Sequence, residues 1–149
     1  MSRVLSRDEM EELLRQAKVG RLGLSSRSIP YVVPLFFVYH LGALYFHCSP
    51  EGRKIDCLRS NSRACYQVDQ VGEVIPSETP CKFNCRFWSI LAEGTICEVT
   101  QDDEKFMALQ QLVRKYGGLA AAGRLTAGDA RGVGVLKLTI NSLSGCAVG

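Results

Sequence analysis

The sequence predicts a mainly β protein, an antiparallel barrel of about six strands with about three peripheral helices. Three observations carry this. Segments rich in Val, Tyr and Phe follow one another as hairpins rather than as βαβ units. A few other segments carry helical spacing with start and stop signals. The chain has 149 residues, 46% hydrophobic and 22% charged, which suits one globular unit with its own core. A single domain over residues 1–149 is expected, with a core at about 6–140 and a loosely ordered tail at 141–149.

The first helix is predicted over about residues 6–19. Ser6 and Glu9 form a capping box, Met10, Leu13, Leu14 and Ala17 follow at helical spacing, and Gly20 closes the segment. "RLGLS" leads into "IPYVVPLFFVYHLGALYFHC", which reads as a β-hairpin with its turn at "HLG", residues 40–42. The run from Val32 to Val38 is almost continuously apolar, so both faces of that strand are expected to be covered. Pro34 sits inside the run and cannot donate to a ladder, which leaves a gap or an edge there. Such a strand is either a docking place for something flat or an ordinary barrel strand with a bulge. A short helix follows within "CSPEGRKIDCLRSN". Then "RACYQVD" reads as a strand, and "GEVIPSETPCKFN" as a loop or edge excursion. "CRFWSILAEGTICEV" is a long strand in which Gly94 marks a bulge or a close backbone approach. "TQDDEKFMALQQLVRKYGG" is a helix with Phe106, Leu109, Val113 and Tyr116 along one face. "LAAAGRLTAGDARG" reads as a mobile loop and "VGVLKLTI" as the last strand.

The short helix holds a contradiction. Ser49 and Pro50 read as its N-cap and first residue, and Ile55 and Leu58 as its buried stripe. Yet Arg53 and Lys54 occupy the first turn, where the helix dipole disfavours cations. Two readings stand. An anion, above all a phosphate, belongs at this helix start, or both side chains simply point into water.

Composition excludes several classes. A net charge of +3, with basic residues scattered, argues against nucleic acid. No apolar run has the length of a membrane span, and the N-terminus lacks a signal-peptide core, so a cytoplasmic location is expected. Seven irregularly spaced cysteines do not form a disulfide framework; Cys57, Cys65 and Cys97 read as small buried hydrophobes. Cys81 and Cys85 are the one close pair, and their spacing with no second pair does not make a zinc site. No catalytic set and no Gly-rich phosphate loop is visible. Phe87 and Trp88 read as core, and His40 as a turn residue. His47 ends a strand just before the cationic helix and is either structural or faces a ligand.

The stretch "IPYVVPLFFVYHLGALYFHCSPEGRKIDCLRSNSRACYQVD", followed by "CKFNCRFWSILAEGT", resembles the FMN-binding split-barrel flavoproteins. Within that superfamily, related to pyridoxamine 5′-phosphate oxidase, it is most similar to the nitroimidazole-resistance (NimA-like) branch. The similarity runs over about residues 6–117. The resemblance implies a six-stranded antiparallel split barrel that binds FMN between two subunits of a homodimer. It implies that Pro34, Leu35, Phe36 and Phe37 lie beside the isoalloxazine, that Phe46 and His47 end a strand against it, that Arg53 and Lys54 grip the phosphate, and that Ser89 reaches the cofactor. The implied activity is flavin-dependent reduction of a small planar acceptor, such as a nitroimidazole or other nitroaromatic, with NAD(P)H as candidate electron donor and His47 on the substrate side. The alternative is a flavin- or haem-binding sensor or carrier without fast turnover. Bulky Trp88, acidic Glu93 and the tail "SGCAVG" depart from the family pattern and bear on the substrate pocket.

Overall fold

The computed structural model describes residues 1–149. The strands are β1 (Ser2–Val4), β2 (Gly20–Ser26), β3 (Ile29–Leu35), β4 (Val38–His40), β5 (Ala43–Cys48), β6 (Arg63–Ile75), β7 (Asn84–Glu98) and β8 (Gly134–Val148). The helices are α1 (Arg7–Gln16), α2 (Arg53–Ser60), α3 (Asp102–Gly117), α4 (Leu119–Gly123) and α5 (Ala127–Ala130). The architecture is mainly β and antiparallel, as expected, but with an 8-stranded sheet and five helices rather than about six and three. No helix is long and apolar enough to cross a membrane.

The strand order is β3-β2-β6-β7-β8-β5-β4, with β1 added to β8. Its two ends, β3 and β4, are consecutive in the chain and only Phe36 and Phe37 separate them. Three Cα–Cα steps span at most about 11 Å. The sheet therefore curls until its ends meet at residues 36–37. No ladder joins β3 to β4, so the curl is not closed by hydrogen bonds and a seam remains.

This corrects the sequence reading of one strand over Val32–Val38. The run is two edge strands and a crossing between them. Nor is it covered on both faces: Val32 is 64% exposed. The strand that is buried on both faces is β5, from Ala43 to Phe46. Leu44 and Phe46 point into the barrel, while Ala43 and Tyr45 lie under α3. Pro30 and Pro34 fit the exposed edge. Ser26 and Ile29 flank a two-residue turn, so the paired N–H groups of β3 are those of Ile29, Tyr31, Val33 and Leu35. The prolines fall at the alternate positions, where an N–H would point away from β2.

Two cores result. The barrel interior holds Leu22, Leu44, Phe46, Tyr66, Ile90 and Leu138, closed by Leu14 of α1 and Ile55 of α2. A second layer packs Ala108, Leu109 and Leu112 of α3 on Ala43, Tyr45 and Val135. The buried face of α3 is thus shifted from the predicted Phe106, Leu109, Val113 and Tyr116, of which Leu109 alone is buried. Of the three cysteines expected inside, only Cys57 is buried; Cys65 and Cys97 occupy outward strand positions next to the inward Tyr66 and Ile96. Gly94 is both a register shift and a close approach: a Cβ there would lie 1.8 Å from the Thr139 carbonyl oxygen.

Three segments differ from expectation at the C-terminal side. The predicted mobile loop contains α4 and α5, the latter held by a Thr126–Asp129 capping box. The "loop or edge excursion" continues β6 to Ile75, paired with Asn84. The predicted loose tail is the second half of β8, between β7 and β1, and Ala147 and Val148 are buried.

Candidate functional site

The crossing at Phe36 and Phe37 leaves backbone polar groups without ladder partners, and side chains bond the backbone at and beside it. The Tyr66 hydroxyl donates to the Leu35 carbonyl oxygen at 2.5 Å. The Phe37 N–H donates to the Tyr116 hydroxyl at 3.1 Å, and that hydroxyl lies 2.9 Å from the Phe37 carbonyl oxygen and 2.7 Å from that of Lys18. Lys115 Nζ donates to the Phe37 carbonyl at 3.1 Å and sits 3.8 Å from the centroid of its ring. The end of α3 thus pins the crossing. Burial, and then the charge of Lys18, lowers the Lys115 pKa to about 8. Burial likewise raises the Tyr116 pKa.

Pinning Phe37 inward, where it is fully buried against Tyr66, turns Phe36 outward. Phe36 is 56% exposed and meets Tyr116 with centroids 5.1 Å apart. It lines a largely apolar cleft of about 490 Å³ between α3, α5 and the outer face of β5. Strand alternation then sorts the next pair. Phe46 is fully buried against Tyr66, and His47 is exposed on the α3 side and lines the same cleft. Phe46 therefore offers only its backbone to a ligand outside the barrel.

The second feature is the start of α2. The helix begins at Arg53 with Gly52 as N-cap, not at Pro50 after Ser49. Gly52 has φ 120°, which an L side chain rarely adopts, and this reversal lets the chain enter the helix directly at the cations. No side chain caps the helix; its first backbone bond runs from Asp56 N–H to the Gly52 carbonyl. The N–H groups of Arg53, Lys54 and Ile55 are left without intrahelical partners. Ile55 and Leu58 are buried, as the stripe predicted. Neither Arg53 nor Lys54 makes an ion pair. Arg53 lies 4.3 Å over the Tyr31 ring, whereas the Lys54 charge acts on Cys48 of β5, opposing the burial that raises its thiol pKa.

Arg53 also borders a groove with Ser26, Arg27, Asp56 and Ser60. Arg27 is a cation that the sequence reading missed. It sits with Ser28 in the β2–β3 turn, both at positive φ without a Gly or Asn to signal it. Three free donors and the unpaired Arg53 and Lys54 at this helix start suit a phosphate dianion, although Lys54 does not border the groove, on which Arg27 and Arg53 face the opposing charge of Asp56.

Ser89 is in neither place. It faces outward from β7, accepts a hydrogen bond from Gln67 Nε2 at 3.3 Å, and lies opposite Asp69. Three strand spacings separate β7 from β3, about 14 Å across the sheet. Phe87 and Trp88 border a separate groove under α1.

The family model for pyridoxamine 5′-phosphate oxidase matches residues 6–147. The chain belongs to this family. It is similar to the crystal structure of a candidate 5-nitroimidazole antibiotic resistance protein from Bacteroides thetaiotaomicron, at 25% identity and TM-score 0.82, covering 99% of this chain and 87% of that one. The fold is shared with a FAD-binding protein of Mesorhizobium loti, at 24% identity and TM-score 0.70, covering 100% and 99% of the two chains. It is also shared with a FAD- and haem-binding protein of Mycobacterium smegmatis, at 21% identity and TM-score 0.84, covering 94% and 70%. A protein of Rhizobium meliloti, RA0666, is 33% identical over 66 residues, 44% of this chain and 43% of that protein. The family match runs through β8 to Ala147, beyond the stretch on which the sequence resemblance rests.

Proposed function

We propose that this member of the family binds FMN and acts as a flavin-dependent oxidoreductase on a small planar acceptor. The observation that carries the reading is the start of α2, where three free N–H groups and two unpaired cations await an anion. Arg53 and Lys54 would hold the phosphate, and the backbone of residues 34–37 would border the ring. Bound flavin supplies the redox chemistry, taking electrons from a donor such as NAD(P)H and passing them to the acceptor. The chain's own part is to bind, orient and exclude water. Phe36 and Tyr116 wall the apolar cleft, and His47 presents an imidazole to it. A nitroaromatic acceptor agrees with the likeness to the Bacteroides protein.

A homodimer belongs to the same proposal. One chain leaves Ile29, Val32 and Phe36 more than half exposed along the β3 edge and the seam, an apolar strip that a second copy would cover. Sedimentation at micromolar concentration should then give twice the 16.4 kDa chain mass; a flavin-loaded monomer contradicts it.

The test of the function is a visible spectrum of the purified protein. An oxidised-flavin spectrum that bleaches with NAD(P)H and recovers on adding a nitroaromatic supports the oxidoreductase. Flavin that never turns over, or a Soret band instead, replaces it with a carrier or sensor.

A further inference from the structure

The apolar cleft has a charge pattern of its own. Its polar lining side chains are His47, Tyr116 and Asp129, and no Lys or Arg borders it. The Tyr116 hydroxyl is engaged with the backbone of Phe37 and Lys18. Asp129 Oδ2 accepts from Thr126 N–H at 2.8 Å and from its hydroxyl at 2.9 Å, while Oδ1 makes no hydrogen bond within the chain. These bonds hold the Asp129 carboxyl below its ordinary pKa, so it is ionised at neutral pH. The tilted Phe36–Tyr116 pair also lines the cleft. At about 490 Å³ the cleft has room for a two-ring molecule.

We propose that this cleft binds a flat aromatic or heteroaromatic monocation, its ring on the Phe36–Tyr116 wall and its positive end toward Asp129. The proposal rests on the reading of the cleft as the substrate side of the flavin. A carboxylate and the face of an aromatic ring both attract a cation. Lys115 lies 5.4 Å from the Tyr116 centroid, but it is bonded to the Phe37 carbonyl and does not border the cleft, so the one formal charge an entering anion meets on the lining is Asp129. The phosphate ester for which the family is named is therefore poorly matched to this cleft, and the cations of α2 remain available to the cofactor.

The test is calorimetric titration of the full-length protein, with and without added FMN, at pH 8. The probes are N-methylquinolinium, neutral 2-methylquinoline and quinoline-2-carboxylate. The cation should bind about 5- to 30-fold tighter than the neutral probe, as a cation–π contact and an exposed ion pair together supply. The carboxylate should show no binding. Asp129→Asn should reduce the preference for the cation to less than about twofold. Because Asp129 also caps α5, Val133→Trp provides an independent arm: by filling the cleft it should abolish binding of both quinolines. Equal binding of cation and neutral probe, an undiminished preference in Asp129→Asn, binding that survives Val133→Trp, or no binding by any probe overturns the proposal. A protein that takes no FMN yet shows the preference loses only the flavin reading; one that binds FMN but shows no preference loses only this inference.

Discussion

Two clefts border the segment from Pro34 to Lys54, and they are opposites. The groove at the start of α2 carries Arg27 and Arg53, with free backbone N–H groups at the helix end. The cleft under α3 carries leucines, valines and two aromatic rings, with Asp129 as its charged residue besides the imidazole of His47. The difference lies in what each place leaves over. Backbone donors are left over where a helix begins, which suits a charged group. Edge backbone and aromatic side chains are left over where the sheet fails to close, which suits a flat one. A ligand with a phosphate end and a flat end would use both.

The largest expected effect attacks the charged groove. Arg53→Ala with Lys54→Ala should weaken FMN binding about 100-fold or more, since each charge-assisted bond contributes about 1.5–3 kcal/mol. Thermal stability of the flavin-free protein should change little, because neither residue makes an ion pair in the fold. Isothermal titration and a melting curve check both halves.

Tyr116→Phe strikes the other region. It removes the hydroxyl that serves the Phe37 N–H and carbonyl, and should cost about 1–3 kcal/mol of stability, read as a lower denaturant midpoint. If the two regions are separable, the phosphate contribution to FMN affinity, measured against riboflavin, should stay at its wild-type value.

Lys115 gives the comparison a pH signature. Its pKa falls from the ordinary 10.5 to about 8 on folding. Between about pH 8 and 10.5 the unfolded chain then holds a proton that the folded one has released, so this residue makes stability rise with pH across that window. In Lys115→Met that rise should disappear. Urea midpoints at pH 7.5, 9 and 10 decide it; a slope identical in both proteins places the titration elsewhere.

His47→Ala should have the smallest effect on the fold, within about 0.5 kcal/mol, because its side chain is exposed and unbonded. FMN content should be retained, while turnover or its pH profile changes. An unchanged pH–rate profile across several acceptors makes His47 a bystander.

How much of this was legible in the sequence depended on whether the signal was local. The α1 capping box and the glycine at 94 are local chemistry, and both stand in the structure where the residues put them, whereas α2 keeps its cations in the first turn but starts at Gly52–Arg53 rather than at Ser49–Pro50. Strand alternation requires Phe46 and His47 to face opposite sides, and packing in the barrel makes Phe46 the inward one. What escaped was set by distant partners. The crossing at Phe36–Phe37 hid inside a continuous apolar run, because two edge strands and a pinned corner need the same residue types as one buried strand. The polar stretch "NSLSG" read as a tail, yet β7 and β1 recruit it into the sheet. Ser89 is tied to the cofactor by family likeness alone, and within one chain it lies opposite Asp69 and accepts a hydrogen bond from Gln67.

If the proposed phosphate site is the start of α2 and not the seam, a fluorescence titration of flavin-free wild-type protein with FMN and with riboflavin, which share the ring and differ in the phosphate, tests it most directly. FMN should bind tighter by about 100-fold or more, with the difference collapsing in the Arg53→Ala/Lys54→Ala protein. Equal affinities for the two flavins in the wild type would contradict it.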